Sequence, residues 1–429
     1  MISTHPNLRH FLALAAIGET GRLSAAAERV YLSQSALTQA LRKLEADAGA
    51  QLFERSGYGV TATDAGRRLV RRSRRAAELL VNAERELRAL QPSGTPPPRL
   101  QHNVTTSQLR TLAAVVETGG YSTAARRLGV AQPTVHRAAK EFELAVGVDL
   151  FRRASRGVES TDAARFLARY AGLVLAEMRQ GFEEVRELQG DTGSRVAIGC
   201  LPLARSEFLP MAVTRLLDRY PDARVSILDG PYVEQLHALR YGEIDWLIGA
   251  LRDPPPTTDV VQESLFDQPL AVVVRPGHPL LDAPPPTVQV LAELEWVAPR
   301  ALAPARRFFD AFLGRKDVNK PTKVIECSSL ITTRSLLLQS DRAALLSPLQ
   351  IREDVAAGEL AVLIDAIPNS DRTIGITTRD DWEPTMVQAE FAGIVRRLAQ
   401  GLGDRNVATN SVNRMGDPSR GSTSTAPGS

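Results

Sequence analysis

The first third of the chain carries one hydrophobic pattern twice. Leu8, Phe11, Leu12, Leu14, Ala15 and Ile17 recur with the spacing of a helix that buries one face, and Gly21 ends it. A short alanine-rich helix is predicted over residues 24–30, with Ser24 placed to cap it. A third helix is predicted over residues 33–48, with Ser33 at its N-cap. Glycines then separate short β-prone runs, Leu52-Phe53-Glu54-Arg55 and Gly57-Tyr58-Gly59-Val60-Thr61, which read as a hairpin. Thr63 caps a long helix over residues 64–90, whose first turn holds Asp64. The plan then returns: residues 14–69 align without a gap with residues 112–167, at an offset of 98. Glu19-Thr20-Gly21, Gln34, Glu45, Leu52-Phe53 and Thr63-Asp64-Ala65 come back as Glu117-Thr118-Gly119, Gln132, Glu143, Leu150-Phe151 and Thr161-Asp162-Ala163. A second long helix, over residues 162–188, closes the second copy.

Pro92, Gly94 and Pro96-Pro97-Pro98 predict a stiff extended linker over residues 91–101, and a second seam falls at 189–194. From Arg195 the pattern changes to strands over 195–200, 224–229 and 244–250, alternating with helices over 207–220 and 233–241. The first of these helices is expected to bury Phe208, Met211, Leu216 and Leu217. Similar units recur at 296–298, 323–327, 343–346 and 372–378, before a last helix over 385–398. Such alternation implies a parallel sheet. The polar tail, 403–429, is expected to be disordered. The divisions are a first helical domain over 1–66, its long helix over 67–90, a linker over 91–104, a second domain over 105–164, its long helix over 165–190, an α/β domain over 194–402, and the tail.

Composition narrows the function classes. An apolar share of 43% and a charged share of 24% fit a soluble globular protein. No apolar run is long enough to span a membrane, and the start lacks a secretory pattern, so a cytosolic location is expected. Two cysteines, Cys200 and Cys327, make no disulfide framework or zinc cluster, and the six histidines show no metal spacing. No phosphate loop, nucleophile elbow or zinc-protease motif is present, so neither catalysis nor a cofactor nor a metal is expected. The net charge of +3 hides an asymmetry: residues 1–190 carry +8 and the remainder −5. A basic front half suits a polyanion.

A supporting helix followed by two helices across a tight turn is a helix-turn-helix, whose third helix fits the DNA major groove. Its reading edge in the first copy is Ser33, Gln34, Ser35, Thr38, Gln39 and Arg42, with Arg55 in the hairpin suited to phosphate. In the second copy the corresponding contacts are Gln132, Pro133, Thr134, His136, Arg137 and Lys140, with Arg153 in the hairpin. Ala131 replaces the serine cap, at a cost of about 1 kcal/mol, which Pro133 in the first turn partly offsets. Because Thr38-Gln39 has become His136-Arg137, the copies are expected to prefer different bases. The alternatives are that the helix-turn-helix is a packing motif with no DNA contact, or that only one copy still binds. Arg67-Arg68, Arg71-Arg72 and Arg74-Arg75 form a basic stripe on the first long helix, open to phosphate contact or to solvent alone.

Leu32-Ser33-Gln34-Ser35-Ala36-Leu37, Leu44-Glu45, Leu52-Phe53-Glu54-Arg55 and Thr63-Asp64-Ala65-Gly66 closely resemble the DNA-binding domain of the LysR-type transcriptional regulators. The resemblance continues into the α/β domain, and the departure is that family members have one helix-turn-helix where this chain has two. It implies two winged helix-turn-helix domains with long linker helices, then a two-lobed effector domain like a type 2 periplasmic binding protein. It also implies double-stranded DNA and a small-molecule effector as partners, with oligomers formed through linker helices and effector domains. The effector is expected at the strand ends: Pro202, Leu203, Ala204, Arg205 and Ser206 after the first strand, then Cys327, Ser328 and Ser329, with Tyr232, Ser264 and Ser347 as further candidates. Each serine is equally well read as a helix cap. Similarity to regulators of sugar uptake and aromatic-acid catabolism suggests a sugar or small organic acid. The two cysteines invite a redox reading, though buried structural thiols are commoner.

The expected protein is a ligand-responsive, sequence-specific DNA-binding regulator. Its rivals are an architectural protein that bridges DNA without sensing, and a solute-binding protein. The two long helices, each about 40 Å at 1.5 Å per residue, also permit antiparallel pairing within one chain. A linker reaching up to about 50 Å would span the gap. Such a chain contains its own pseudo-dimer and reads an asymmetric operator.

Overall fold

The computed structural model describes residues 6–57, 59–90, 99–154, 157–301, 303–314 and 321–414. Copy one is built from α1 (Leu8–Thr20), α2 (Leu23–Arg29), α3 (Gln34–Ala48), a hairpin of β1 (Phe53–Ser56) and β2 (Gly59–Ala62), and α4 (Asp64–Leu90). A short helix, α5 (Leu100–Asn103), stands where the end of the extended linker was expected. The proline-rich run over 91–98, and Tyr58, lie outside the described residues. Copy two repeats the plan as α6 (Thr106–Thr118), α7 (Tyr121–Leu128), α8 (Gln132–Val146), β3 (Phe151–Ala154), β4 (Gly157–Ser160) and α9 (Asp162–Leu188).

Local chemistry sets the element ends. Ser33 caps α3 by accepting the Ala36 N–H at 3.1 Å, and Thr63 and Thr161 do the same for α4 and α9. Ser24 does not cap α2: the helix starts at Leu23, with Arg22 at the N-cap and no side-chain bond. The turn between α2 and α3 needs a left-handed residue. Copy two supplies Gly129 (φ 67), whereas copy one forces Tyr31 to φ 55. In each copy a buried or half-buried glutamate accepts the N–H groups that lead into the hairpin, Glu45 from Leu52 and Phe53, and Glu143 from Leu150 and Phe151.

The two copies share one hydrophobic core. α4 and α9, each 27 residues, pack antiparallel: Leu69 lies against Gly181, Arg72 meets Glu177 and Glu184, and Glu86 meets Arg169 and Tyr170. Several contacts repeat when the copies are exchanged. Arg71 pairs with Glu184, and the equivalent Arg169 pairs with Glu86. A one-way bond also joins equivalent positions: the Leu8 N–H donates to Oγ1 of its equivalent, Thr106, at 2.8 Å, which leucine cannot return. The expected stripe on α9 is buried at Leu167, Tyr170, Val174, Met178 and Val185, and partly buried at Phe182.

The α/β region has two five-stranded sheets. Lobe one contains β5 (Arg195–Cys200), α10 (Phe208–Arg219), β6 (Arg224–Asp229), α11 (Tyr232–Arg240), β7 (Trp246–Ala250) and β8 (Val260–Gln268). Lobe two contains β9 (Ala271–Val274), α12 (Val288–Glu293), β10 (Trp296–Ala298), α13 (Pro304–Leu313), β11 (Val324–Glu326), α14 (Leu330–Leu338), β12 (Ala343–Leu346), α15 (Pro348–Ala356) and β13 (Ala361–Ile364). The chain then returns to lobe one through β14 (Arg372–Arg379) and α16 (Met386–Arg414). The sheet orders are β6-β5-β7-β14-β8 and β11-β10-β12-β9-β13. The expected parallel sheet is thus only partly realised. β5, β6 and β7 run parallel, as do β10, β11 and β12, but β14 is antiparallel to β7 and β8, and β9 to β12 and β13. The reversals come where the chain crosses between lobes. α16 continues to Arg414, through the start of the tail expected to be disordered; residues 415–429 lie outside the described residues. Phe208 and Leu216 are buried in α10 as expected, while Met211 and Leu217 are only partly so. No described helix is long and apolar enough to cross a membrane.

Candidate functional site: two reading helices and a sensing cavity

The edge of α3 is open. Ser33, Gln34, Ser35, Gln39, Arg42 and Lys43 are exposed, and Arg55 is exposed on β1. Thr38 is half-buried, with its hydroxyl donated to the Gln34 carbonyl at 2.8 Å, so it offers less than its neighbours. On α8, Gln132, Pro133, Thr134, His136, Arg137 and Lys140 are exposed, as is Arg153 on β3. The chemistry of this second edge is more self-occupied. Lys140 is paired with Glu143 at 2.6 Å, Arg137 faces Glu141 at 3.9 Å, and the His136 ring stands edge-on to Tyr121. Ala131 makes no side-chain cap bond, and proline stands in the first turn.

The basic stripe on α4 is neither a phosphate surface nor a solvated face at its centre. Arg72 is fully buried and pairs with Glu177 and Glu184 of α9, and it donates to the Glu383 carbonyl at 2.9 Å. Burial opposes its charge, but the two carboxylates outweigh that and raise its pKa. Arg71 joins Glu184 and Glu383, and Arg75 joins Glu177 and Glu383. Partners 100 residues or more away were invisible to a local pattern.

The two lobes flank an open cavity of about 630 Å³ at the carboxyl end of β7. Tyr232, Val233 and Leu236 of α11, residues 250–254 and Pro256 line it from lobe one. Pro304 and Arg307 line it from lobe two, and Asp371, Arg372 and Thr373 from the return crossing. Of the residues expected at the effector, only Tyr232 lines this cavity. Leu203 and Ala204 are buried in the lobe-one core. The Arg205 guanidinium is spent on the Cys200 carbonyl and on Asp229 at 3.2 Å. The Pro202 carbonyl accepts from Gln350, and Ser206 is exposed. Ser329 caps α14, its hydroxyl accepting the Thr332 N–H at 3.3 Å, so the capping reading holds there; Ser347 is fully buried at the N-cap position of α15, where its N–H donates to the Gln350 side chain but its hydroxyl makes no cap bond. Ser328 is exposed, and Ser264 is exposed on the edge strand β8. Burial pushes the Cys200 thiol up to about 12, which leaves it a poor nucleophile; Cys327 is half-buried, its thiol directed at the Ser329 carbonyl. Arg252 and Arg372, at strand ends, and Arg307, on α13, were missed, because a single arginine carries no sequence signal of a cavity. A smaller cavity of about 320 Å³ lies within lobe two, and its arginine, Arg306, is already paired with Asp310 and Glu326. Among the described residues no cluster of His, Cys, Asp or Glu is arranged to hold a metal ion.

Two helix-turn-helix copies joined to a two-lobed domain with an open cavity make a DNA-binding protein coupled to a small-molecule sensor. The comparisons agree. The profile of the bacterial regulatory helix-turn-helix protein, lysR family, matches residues 8–67 and again 106–165, and that of the LysR substrate binding domain matches residues 189–400. The HTH-type transcriptional regulator GalR of Pseudomonas putida is 34% identical over 374 residues, covering 87% of this chain and 92% of that protein. PcaQ of Agrobacterium fabrum is 28% identical over 296 residues, covering 69% of this chain and 95% of that protein. The GalR match is too long for one copy plus the sensing domain, so it reaches into both repeats. A full-length OxyR variant from Pseudomonas aeruginosa shares the fold with a TM-score of 0.52 at 22% identity, covering 70% of this chain and 95% of that one. The chain belongs to the LysR family and is a transcriptional regulator with a substrate-binding domain that responds to a small molecule.

Proposed function

We propose that this regulator carries both DNA readers of a dimer in one chain and uses them on an asymmetric operator. In this reading each copy is a winged helix-turn-helix, and the sensor is a two-lobed domain of the type 2 periplasmic-binding kind. The observation that carries it is the antiparallel α4–α9 pair, whose contacts recur when the copies are exchanged: Arg71–Glu184 as Arg169–Glu86, and Arg72–Glu184 as Tyr170–Glu86. The seam also favours unlike over like helices. Arg75 and Glu177 meet across it at 3.0 Å. The equivalents of these two are Leu173 and Leu79, so in the same register a self-pair of α4 sets Arg75 against Leu79, and a self-pair of α9 sets Glu177 against Leu173. The α9 self-pair leaves the buried Glu177 facing leucine, which costs several kcal/mol, about 3–5 for a buried charge without its partner, and the α4 self-pair leaves Arg75 with only the partners it has outside the seam, Glu383 among them. Further oligomerisation then falls to the sensor domains.

The bases are read by Ser33, Gln34, Ser35, Gln39 and Arg42 from one copy and by Gln132, Thr134, His136 and Arg137 from the other, with Arg55 and Arg153 on phosphate. Footprinting with the full-length protein at low salt, alongside light scattering, tests this. The expected result is two protected half-sites of different sequence per chain. Identical palindromic half-sites, or a single half-site per chain, would overturn it. Uniform protection without any ligand effect would favour DNA bridging instead.

A further inference from the structure

A buried charge without a partner is costly, so proteins pair it, neutralise it or keep it for a ligand. Strand β14 contains two buried arginines that differ in this respect. Arg379, at its end, donates to the Leu239 and Ile244 carbonyls at 2.8 Å each. Arg372, at its start, is nine-tenths buried, and its Nε and Nη2 have no partner in the protein. Desolvation lowers its pKa to about 10, and no carboxylate acts on it. It is therefore a cation at neutral pH held beside the interlobe cavity. The Tyr232 hydroxyl, on the same cavity, is likewise buried and unpartnered. Arg252 lies 4.0 Å over the Tyr232 ring and fixes it. Arg307 brings a third guanidinium from the other lobe. The two carboxylates that line the cavity, Asp253 and Asp371, are exposed, so they do not neutralise Arg372.

We propose that the effector is a small organic anion, a carboxylate or phosphate ester, whose charged group is received by Arg372 and the Tyr232 hydroxyl. The proposal rests on the domain being a small-molecule sensor and names the chemical class it senses. A guanidinium fork binds such oxyanions in a bidentate manner, and the hydroxyl adds a donor. The cavity volume suits a small organic ligand, and Arg307 lets the anion draw lobe two toward lobe one. A neutral sugar, by contrast, leaves the buried guanidinium uncompensated.

The test is calorimetry and thermal shift on the full-length protein with matched pairs: benzoate against benzamide, succinate against succinamide, and glucose 6-phosphate against glucose. At least one anion is expected to bind at least tenfold more tightly than its neutral match. Arg372→Met is expected to abolish that preference. In the ligand-free protein, Arg372→Met is expected to leave Tm unchanged or to raise it, because an unsatisfied charge is removed. A fall in Tm of several degrees would show that the guanidinium is structural and would overturn the proposal. So would neutral compounds that bind as well as their anions, or no binding by any of the six. The wild-type DNA footprint, measured without these compounds, tests the regulator reading separately.

Discussion

In both copies a glutamate late in the third helix holds the chain leading into the hairpin, Glu45 in one and Glu143 in the other, yet only Glu143 also takes a lysine, Lys140. That difference is typical of the pair. What builds the scaffold is kept: the caps of the long helices, the glutamate latch and the alanines at the α1–α2 and α6–α7 crossings. What meets the outside has diverged. α3 presents a serine cap and two exposed basic residues, Arg42 and Lys43; α8 has no cap, and its cations face glutamates. At the seam, Arg72 of α4 is buried among carboxylates, while its equivalent in α9 is Tyr170, hydrogen-bonded to Glu86. Duplication freed each copy to take one side of a contact that an ordinary symmetric dimer must make twice with identical residues.

The largest test of this asymmetry is at the seam. Arg72→Ala leaves Glu177 and Glu184 buried without their cation and is expected to cost about 3–5 kcal/mol. The equivalent Tyr170→Phe removes one hydrogen bond and is expected to cost about 1 kcal/mol. Chemical denaturation of the full chain measures both, and equal losses would falsify the view that the two sides of the seam differ. At the reading edge, Arg42→Ala is expected to weaken DNA binding about tenfold, or about 1.4 kcal/mol. It should also relax the sequence preference at the base it reads. Lys140→Ala should weaken binding less, because Lys140 is already paired with Glu143; fluorescence anisotropy across a salt series separates them, and the reverse order would count against the assignment. At the helix starts, Ala131→Ser is expected to stabilise copy two by up to about 1 kcal/mol, and Ser33→Ala to destabilise copy one by a similar amount. Hydrogen exchange in the first turns of α8 and α3 reads this locally.

The smallest effect concerns Glu183 on α9. Burial pushes its carboxyl above the ordinary range, against the opposing pull of Arg179 and the Arg195 N–H. A folded-state pKa above the unfolded value gives stability that is complete at acid pH and is lost as pH rises through the folded-state value. Glu183→Gln mimics the protonated form. It is expected to raise Tm slightly at pH 7 and to leave it unchanged at pH 4; an equal change at both would show that ionisation is not the cause.

Much of the helical half was legible from the chain because its signals are local. Ser33, Thr63 and Thr161 cap helices within three residues of themselves, and the 98-residue offset needs only the sequence compared with itself. The exceptions are local too: Ser24 looked like a cap, but the helix begins one residue earlier. The sensor was legible in its alternation but not in its strand directions, since β9 and β14 reverse only because the chain crosses between lobes. Its site was half legible. The cavity does lie at a strand's carboxyl end, but of the hydroxyls at other strand ends Ser329 caps a helix and Ser347 is buried away from the cavity, and arginines without a sequence signal line it.

By itself the sequence determined that this protein has two unlike helix-turn-helix copies followed by an α/β region, because periodicity, caps and repeats are properties of neighbouring residues, while the two lobes were implied only by its resemblance to a family. Only the tertiary structure decided how charge is used. Arg71, Arg72 and Arg75 look like a surface for phosphate until α9 brings Glu177 and Glu184 against them. Arg372 looks like any other arginine until the lobes bury it beside a cavity with nothing to bind. The energy of a charge depends on its surroundings in space, on burial and on the distance to the opposite charge, and neither quantity is written in the order of the residues.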